Sequence, residues 1–484
     1  MYLHLFPYAL RIIKNHYLVY KEGNSMPDLN ALIDDFKKVV GYENVLLNKA
    51  ELAYYAVDGI RPEVVVFPSE ESQIKRILES SYRHNAVVIP RGHGSKMGLG
   101  GIPIRADVIL SLERLKSIIE FLPDDLTVTV QAGITLPELQ RQLLPKNLAL
   151  PIDPPCGKAT SPVLATLGGI IATNSNGPGR LKYNSLRDLV IGMKVILADG
   201  TVIKAGGKTV KNVSGYDMTK LFIGSLGTLC VITQITARLA PLPETGQTVL
   251  ASFAELPQAA NVIAKILASE LLPTSIELFS PVGADLLLLP SFGGGGVGMP
   301  AENFLLIIDI EDVKEAVNRQ SVQIKQICEG EKGLNVNTIQ GRERDTLLGK
   351  IQDWTMIDAE SDSQVCCKVS VPIGSVAEAF QAIEDTAERG KLDTAIMSYA
   401  GSGIIYVILT PQIDQAQFEA TIENLALMAQ QLGGSSIVEH APAEIKRNVD
   451  VWGTTHSDIT LMRQIKEQLD PKNLLNPGRF VGGI

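Results

Sequence analysis

The sequence predicts an α+β protein with more than one domain. Its 484 residues are about three times the roughly 150 residues of an average domain. Strand-like and helix-like hydrophobic patterns alternate along the chain, and the stretch Pro241-Leu242-Pro243 separates them into two groups. With 45% apolar and 20% charged residues, the composition is that of a globular protein with material for more than one core.

Before this boundary, the pattern predicts strands, amphipathic helices and a hairpin. Ser69 is placed to cap a helix, because its hydroxyl can accept a hydrogen bond from a free amide of the first turn. The apolar positions of that helix, Ile74, Ile77 and Leu78, share one face. Further on we expect a strand at 87–89, a strand at 126–131, an amphipathic helix carrying Leu136, Leu139, Leu143 and Leu144, and a hairpin turning at Asp199-Gly200.

After the boundary, strands and helices continue to alternate. The predicted strands are 276–279, 304–310, 366–372 and 404–409, and the predicted helices are 254–269, 312–328, 375–389 and 414–432. Such units suggest a sheet that is covered on one face by helices.

Charge, cysteine spacing and hydropathy exclude several classes of protein. A formal net charge of −9 argues against nucleic-acid binding, which needs a concentrated positive face. The five cysteines form no CxxC pair, so we expect no iron–sulfur cluster and no structural zinc, and scattered thiols fit a reducing cytosol. No apolar run reaches the ~18–20 residues that span a bilayer. Residues 1–25 are interpreted as a dispensable extension or a misassigned start, with a peripheral membrane anchor as the alternative.

Glycine-rich segments are the strongest functional signal. The segment PRGHGSK, residues 90–96, continues through further glycines to Gly101, and such a loop lets backbone amides approach a phosphate without interference from Cβ atoms. It has neither the spacing of a Rossmann turn nor that of a Walker loop. Three further segments follow, at 166–179, 208–217 and 222–229. Taken singly, each also fits an ordinary loop or a small-residue packing face.

Together and in this order, the segments resemble the FAD-binding domain of the vanillyl-alcohol oxidase and p-cresol methylhydroxylase (PCMH) superfamily. The matching pieces are PRGHGSK, VTVQAGITLPEL, IDPP, TLGGIIATNSNGP, VILADGTVIKAGGKTVKNVSGYD, GSLGTL and LDPKNLLNPG. Within that superfamily the chain resembles the glycolate oxidase and D-lactate dehydrogenase branch. It is most similar to the FAD-binding E subunit of glycolate oxidase, because the larger sister subunit usually has an acidic residue where Leu226 stands.

The resemblance implies a PCMH-type domain of two α+β subdomains with FAD between them, followed by an α+β, ferredoxin-like cap. It also implies that the C-terminal tail returns to the FAD domain. The expected limits are an extension at 1–25, the FAD-binding domain at 26–243, the cap at 244–460 and the returning segment at 461–484. The residues implied to contact FAD are Arg91, Gly92, His93, Gly94, Ser95, Lys96, Pro154, Gly168, Gly169, Ala172, Asn174, Gly227, Thr228 and Asn476.

We expect FAD to be held without a covalent bond. Some members of the family tether the cofactor through a histidine of this loop, but their histidine lies later, within a glycine pair. His93 instead takes a position usually filled by a small residue, where it is available to hydrogen-bond a phosphate.

The catalytic residues of the family's hydroxy-acid enzymes are altered in this chain. In place of the family's two histidine-rich segments stand YAGSGIIY, ending at Tyr406, and VEHAPA, which keeps Glu439 and His440. One histidine and one glutamate do not form a stable metal site, and tyrosine is a poor zinc ligand because its pKa is near 10. We therefore expect no metal. His440 is the candidate general base, with Glu439 beside it, and the alternative is a hydrogen-bonded pair in the cap wall.

Three functions remain open at this stage. The resemblance favours an FAD subunit of a glycolate or D-lactate dehydrogenase complex, working with a sister FAD subunit and an iron–sulfur subunit. The alternatives are a self-sufficient 2-hydroxy-acid dehydrogenase and a non-catalytic structural flavoprotein subunit. Lys208 and Lys211 are further candidates to attract a carboxylate substrate. We expect a cytoplasmic protein that reaches the inner face of a membrane only through partners.

Overall fold

The fold is described for residues 26–157, 164–207, 215–288, 302–356, 364–410, 415–453 and 457–484 of a computed structural model. The predicted extension 1–25 lies outside these ranges, as do Lys208 and Lys211. Within them, no helix is both long and apolar enough to cross a membrane.

A small mixed sheet with two helices on one side opens the structure. Its elements are α1 (Leu29–Val40), β1 (Val45–Leu46), α2 (Lys49–Leu52), β2 (Val64–Val66), α3 (Glu71–His84), β3 (Val88–Arg91) and β4 (Val108–Ser111). The strand order is β1-β2-β4-β3, with β2 and β3 parallel to β4. The predicted apolar face of α3 is buried, but the predicted cap is wrong: Glu70 and Gln73 form a capping box one residue after Ser69.

A five-stranded antiparallel sheet follows, in the order β5-β6-β10-β8-β9. This region contains β5 (Ile118–Leu122), β6 (Thr127–Gln131), α4 (Leu136–Leu143), β7 (Leu148–Ala149), α5 (Leu167–Ala172), α6 (Arg180–Tyr183), α7 (Leu186–Leu189), β8 (Val190–Ile196), β9 (Val202–Gly206), α8 (Thr219–Phe222), β10 (Val231–Arg238) and β11 (Ala240–Pro241). The predicted hairpin is confirmed, since Ile196 pairs with Val202 and Gly200 takes φ +88° in the turn. Leu144 was wrongly placed on the apolar face of α4: the helix ends before it, and it is exposed.

The second half of the chain forms an eight-stranded antiparallel sheet, in the order β15-β12-β14-β13-β17-β18-β16-β19. Its strands are β12 (Thr245–Phe253), β13 (Ser275–Phe279), β14 (Phe304–Asp312), β15 (Leu334–Gln340), β16 (Val365–Ser370), β17 (Asp393–Tyr399), β18 (Ile404–Thr410) and β19 (Ser435–His440). Its helices are α9 (Leu256–Leu267), α10 (Pro281–Leu288), α11 (Lys314–Gly330), α12 (Gly341–Asp353), α13 (Val376–Gly390) and α14 (Gln415–Gln431).

The prediction of helices on a single face of this sheet is wrong in part. Helices α9, α11, α13 and α14 pack on one face, as expected. The other face packs against α10 and α12, which present Leu287, Leu347 and Ile351 to it. The hydrophobic pattern gave no signal for these two helices, because each buries only a narrow apolar stripe.

The last residues return to the first sheet. After α15 (Ala443–Lys446) and α16 (Ile459–Leu469), the chain pairs with β3, with Val88 N donating to Leu474 O at 2.8 Å and Asn476 N donating to Val88 O at 3.0 Å. The predicted return of the C-terminal tail is therefore confirmed. It brings Asn476 beside the glycine-rich loop that follows β3.

Candidate functional site

A cleft of about 640 Å³ lies between the loop after β3, helix α5 and the C-terminal tail; we call it the glycine-loop cleft. Nine residues expected to contact the cofactor line it: Arg91, Gly92, His93, Gly94, Ser95, Lys96, Gly169, Ala172 and Asn476. A second cleft of about 420 Å³ shares its wall and adds Gly168 and Gly227. The glycine segments, separated by many residues in the sequence, thus surround one space.

Three expected residues lie away from both clefts and have local structural roles. Pro154 is buried and its carbonyl accepts a hydrogen bond from Gln352 at 2.7 Å, whereas Pro155 lines the glycine-loop cleft. Asn174 adopts a left-handed φ of 48°. Thr228 is fully buried, and its hydroxyl donates to the carbonyl of Ser225 at 2.7 Å.

Several lining residues were missed by the sequence reasoning, among them Thr166, Leu226 and Arg479. Thr166 caps α5 by accepting from Gly169 N at 3.3 Å, a role that a threonine before a helix could have indicated. Arg479 lies just after the returning Asn476, and nothing in its sequence surroundings indicated that it would be buried.

Gly92 and Gly94 are needed for packing of the loop. A Cβ on Gly92 would lie 2.1 Å from Thr166 Oγ1, and a Cβ on Gly94 would lie 2.4 Å from Arg91 Nε. Gly94 also has φ +85°, which side chains other than glycine rarely adopt. These glycines let the loop lie flat against α5 and the Arg91 side chain.

The same loop suits a phosphate group. The backbone amides of residues 92–96 donate no hydrogen bond to any of the described residues. Consecutive amides of this kind bind anionic oxygens. Arg91 adds a buried positive charge, and its guanidinium stacks 4.9 and 4.5 Å from the ring centres of Tyr54 and Tyr55.

His93 is positioned by a backbone contact. Its Nδ1 lies 3.1 Å from the carbonyl oxygen of Leu164. Because a carbonyl oxygen only accepts, Nδ1 must carry the hydrogen, which leaves Nε2 of the neutral ring without one. A hydrogen bond from His93 Nε2 to a phosphate therefore requires the protonated imidazole.

Asn476 supplies an unsatisfied acceptor to the cleft. Its Nδ2 donates to Leu226 O at 2.6 Å, while its Oδ1 is buried and has no hydrogen-bond partner among the described residues. A buried amide oxygen without a partner is unfavourable by about 1–3 kcal/mol. A ligand with a ring N–H at this point would satisfy it, which fits a flavin.

On the cap side, Glu439 forms a charged cluster with two lysines. Lys96 Nζ lies 3.3 Å from Glu439 Oε2, and Lys368 Nζ lies 3.6 Å from Oε1. Burial alone would raise the pKa of Glu439, but the two lysine charges outweigh it and hold that pKa below its usual range. Glu439 is thus a carboxylate at neutral pH. Lys96 also lines the glycine-loop cleft, so the cluster joins the cap sheet to the cleft.

Further positive charge surrounds this cluster. Burial lowers the pKa of Lys368, the charge of Glu439 opposes that shift, and Lys96 and Arg180 reinforce it. Two lysines therefore face one carboxylate, and Arg180 lies near enough to Lys368 to act on its charge. Such an excess of positive charge in a half-buried site favours an anionic ligand of low molecular weight.

His440 also lies at this junction. It stands opposite Cys366 in the pairing of β19 with β16, where a bulge makes Glu439 the extra residue. A Cβ on Gly98 would lie 3.6 Å from His440 Nδ1, so the ring lies against the glycine-rich loop. Burial, and then the charge of Lys446, lower the pKa of His440. The imidazole is therefore neutral at pH 7 and able to accept a proton.

The ion-pair partners of Glu439 are the two lysines, and no ion pair joins it to His440 among the described residues. In the same ranges no three or more His, Cys, Asp and Glu side chains are grouped to hold a metal ion. Glu439 is therefore paired with the two lysines and not with His440, contrary to the alternative of a hydrogen-bonded Glu439–His440 pair in the cap wall.

Two family models match most of the chain. Residues 62–206 match the FAD binding domain, and residues 242–480 match the C-terminal domain of FAD linked oxidases. Glycolate oxidase subunit GlcD of Bacillus subtilis is 30% identical over 92% of this chain and 95% of its own length. The D-lactate dehydrogenase of Archaeoglobus fulgidus is 29% identical over 86% of this chain and 91% of its own. The closer likeness to an E subunit stays a prediction, since these glycolate oxidase matches are D subunits.

Solved structures support the fold. p-Cresol methylhydroxylase with substrate bound superimposes with a TM-score of 0.73 at 17% identity, over 96% of this chain and 98% of the other. Alkyldihydroxyacetonephosphate synthase gives a TM-score of 0.71 at 19% identity, over 95% and 88%. With a cleft suited to phosphate and flavin groups and a near full-length match in sequence, the chain is a member of the FAD-linked oxidase family, and FAD is its cofactor.

Proposed function

We propose that this protein oxidises a small 2-hydroxy acid, such as glycolate or D-lactate, to the 2-oxo acid. The observation that carries this proposal is the half-buried cluster of Lys96, Lys368 and Glu439 beside the cofactor cleft, with its excess of positive charge. A 2-hydroxy acid carries the carboxylate that such a cluster attracts. The relatives named as glycolate oxidase and D-lactate dehydrogenase support the same substrate class.

In this proposal the loop of residues 91–96 holds the phosphates of non-covalently bound FAD, and Gly169, Ala172 and Asn476 lie along it. Bound FAD supplies the hydride acceptor. Lys96 and Lys368 hold the substrate carboxylate, Glu439 keeps both ammonium groups in place, and neutral His440 takes the hydroxyl proton.

We further propose that the protein works as a subunit and passes electrons to partners. Its five cysteines are buried and form no disulfide, and their spacing does not suit an iron–sulfur cluster, so an iron–sulfur centre in the pathway would belong to another subunit. Thiols that form no disulfide also support a cytoplasmic location, with membrane contact made through partners. A self-sufficient dehydrogenase is the second candidate. It is favoured because this one chain contains both the lysine cluster that can hold a substrate carboxylate and a neutral histidine, His440.

The first test is anaerobic reduction of the purified holoprotein. We expect bound FAD to lose its visible absorbance when glycolate or D-lactate is added. If the spectrum stays oxidised with every 2-hydroxy acid tried, alone and with partner subunits, the proposed function is wrong. Bleaching of the isolated chain, followed by turnover with an artificial acceptor, would favour the self-sufficient enzyme.

Lys368→Met tests the substrate contact. A hydrogen bond to a charged group contributes about 1.5–3 kcal/mol, so we expect kcat/KM to fall by about 10- to 150-fold, mainly through KM, with FAD affinity unchanged. The control is Lys314→Met, an exposed lysine at the start of α11, which should leave both constants unchanged. An unchanged KM in Lys368→Met would contradict the carboxylate site.

Gly92→Ala tests the cofactor loop. The new methyl group would clash with Thr166 and displace the loop, and overpacking of this kind costs about 1–3 kcal/mol. We therefore expect FAD affinity, measured by quenching of flavin fluorescence, to fall by about one to two orders of magnitude. Gly98→Ala is the matched control, since among the described residues its Cβ would meet only His440 Nδ1, at 3.6 Å. Equal affinities in the two variants would argue against the assigned loop.

A further inference from the structure

A row of polar side chains, three of them buried and two half-buried, crosses the face of the eight-stranded sheet that contacts α10 and α12. We call it the buried polar row: Glu439, Lys368, Tyr406, Tyr399 and Glu277. Lys368 stands opposite Tyr406 between β16 and β18, and Tyr399 stands opposite Glu277 between β17 and β13. The two tyrosine rings are 5.3 Å apart, and Lys368 Nζ lies 3.6 Å from Glu439. The row thus has one member on each of five neighbouring strands.

Each end of the row lies next to a residue that lines a cleft, and the two clefts are different. At one end, Glu439 pairs with Lys96, which lines the glycine-loop cleft. At the other end, Ser275 lies two residues from Glu277 on the same strand and lines a separate cleft of about 1250 Å³. Asp153 lines that cleft as well, and we call it the junction cleft.

Two members of the row have no hydrogen-bond partner among the described residues. Both carboxyl oxygens of Glu277 are unpartnered at 0% exposure, and the Tyr399 hydroxyl is unpartnered at 1% exposure. Each such group is unfavourable by about 1–3 kcal/mol, and native proteins retain few of them. Packing does not explain the pair, because phenylalanine and leucine would fill the same volume without this penalty.

The protonation states follow from burial. Burial raises the pKa of Glu277 well above its usual range; Asp309 and Asp153 add to the shift, and the nearby Ser275 hydroxyl opposes it. Burial likewise raises the pKa of Tyr399, as do the charges of Asp153 and Glu277. At the junction cleft, burial raises the pKa of Asp153 to about 6. At neutral pH two neutral O–H groups therefore lead to a carboxylate that can exchange protons with solvent.

We propose that the buried polar row carries the proton released by substrate oxidation from the glycine-loop cleft to Asp153 at the junction cleft. This rests on the proposed function. Oxidation of a 2-hydroxy acid breaks the C2–H and O–H bonds: the C2 hydrogen leaves with two electrons as a hydride, which bound FAD would accept, and the hydroxyl hydrogen leaves as a proton. His440 takes that proton and passes it through a bridging water molecule to Glu439, the preceding residue of β19, because no ion pair joins the two side chains among the described residues.

Transfer along the row needs no lasting charge on its central members. Glu439 takes the proton first. Lys368, Tyr406, Tyr399 and Glu277 then each pass on their own proton and receive the next, and single water molecules bridge gaps longer than a hydrogen bond. Asp153, which also accepts a hydrogen bond from Gly179 N at 2.8 Å, releases the proton into the junction cleft. Glu277 and Tyr399 are proton carriers in this scheme, and neither contacts the substrate.

The test follows proton release and flavin reduction in the same stopped-flow experiment. The holoprotein is mixed anaerobically with glycolate or D-lactate in weak buffer containing a pH indicator. We expect wild type to release its proton as fast as the flavin bleaches. In Glu277→Gln and Tyr399→Phe, we expect release to lag by at least about tenfold while first-turnover bleaching changes less. Release at the wild-type rate in both variants would overturn the proposal.

Tyr183→Phe is the matched control, because Tyr183 lines the junction cleft outside the row and donates to Glu311 at 3.1 Å. It should release the proton at the wild-type rate. If no 2-hydroxy acid bleaches the flavin, the proposed function fails. Photoreduction of the bound flavin then tests the row separately, through the rate at which the same indicator reports proton uptake.

A second readout does not depend on turnover. Neutral Glu277 should give an infrared carboxylic-acid band that is absent in Glu277→Gln. Because the pKa of Glu277 is raised in the folded state, stability is lost as pH rises from its ordinary value of 4.5 towards the folded pKa. The glutamine variant lacks this loss. The unfolding free energy of Glu277→Gln minus that of the wild type should therefore increase as pH rises. A constant difference across that range, with no band, would show that Glu277 is ionised and would overturn the proposal.

Discussion

Replacing Arg479 with methionine is expected to lower the free energy of unfolding by about 3–5 kcal/mol and to weaken FAD binding. The guanidinium is buried and donates to Asp58 Oδ2 at 3.0 Å and to Gly101 O at 2.8 Å. It also donates to the carbonyls of Met97 and Leu99. These bonds hold the second half of the glycine-rich loop, so their loss leaves buried carbonyls unsatisfied and lets that wall of the cofactor cleft move.

Asp58, which accepts one of the hydrogen bonds of Arg479, also connects this part of the loop to the cap. Lys446, just after β19, donates to Asp58 Oδ1 at 2.8 Å and to the carbonyl of Gly98. Urea unfolding and FAD titration of Arg479→Met would measure both effects. Arg389→Met is the control. In the described part of the chain, this exposed arginine forms hydrogen bonds only within its own helix, so its loss should change stability by less than about 0.5 kcal/mol. If Arg479→Met is as stable as the wild type, the hydrogen bonds of Arg479 do not hold the loop in place.

Replacing Lys466 with methionine is expected to destabilise the fold by a similar amount, about 3–5 kcal/mol. Lys466 Nζ is almost fully buried and donates to Asp470 Oδ2 at 2.6 Å, Thr228 O at 2.7 Å and Leu475 O at 2.9 Å. Asp470 in turn accepts from the amides of Leu474 and Leu475. Without the ammonium group, Asp470 becomes a buried charge with no cation.

The double variant Lys466→Met, Asp470→Asn separates this cause from simple loss of packing. Removing the unpaired charge should recover part of the stability. The stability losses of the two single variants, Lys466→Met and Asp470→Asn, should therefore add to more than the loss in the double variant. Urea unfolding of the four proteins measures this coupling. Strict additivity would mean that the pair does not act as a unit. Because Lys466 holds the turn that presents Asn476, we also expect weaker FAD binding in Lys466→Met.

Local patterns predicted the parts of this protein that depend on short stretches of chain. The helix with Ile74, Ile77 and Leu78 and the hairpin at Gly200 follow from periodicity and turn chemistry, which involve neighbouring residues. The glycine-rich loop was predicted for the same reason, since a glycine with positive φ such as Gly94 is a local backbone requirement.

Errors arose where the outcome depended on residues far away in the sequence. Pro155 lines the cofactor cleft and Pro154 does not, because the carbonyl of Pro154 is held by Gln352 of the cap. The helices on the second face of the cap sheet were missed because their burial depends on what packs beside them. The ion pair of Glu439 with Lys368 follows from the pairing of β16 with β19, which lie about 70 residues apart.

The amino-acid sequence by itself determined the α+β class, the glycine segments, the family and the cofactor, because backbone requirements and hydrophobic periodicity are carried by short segments. Only the tertiary structure decided which charges meet. It brought Lys96 of the glycine-rich loop to Lys368 and Glu439 of the cap, and Glu277 to the side of Tyr399. Electrostatic interactions and proton transfer depend on distances of a few ångströms between atoms of different segments, and strand register and domain packing set those distances.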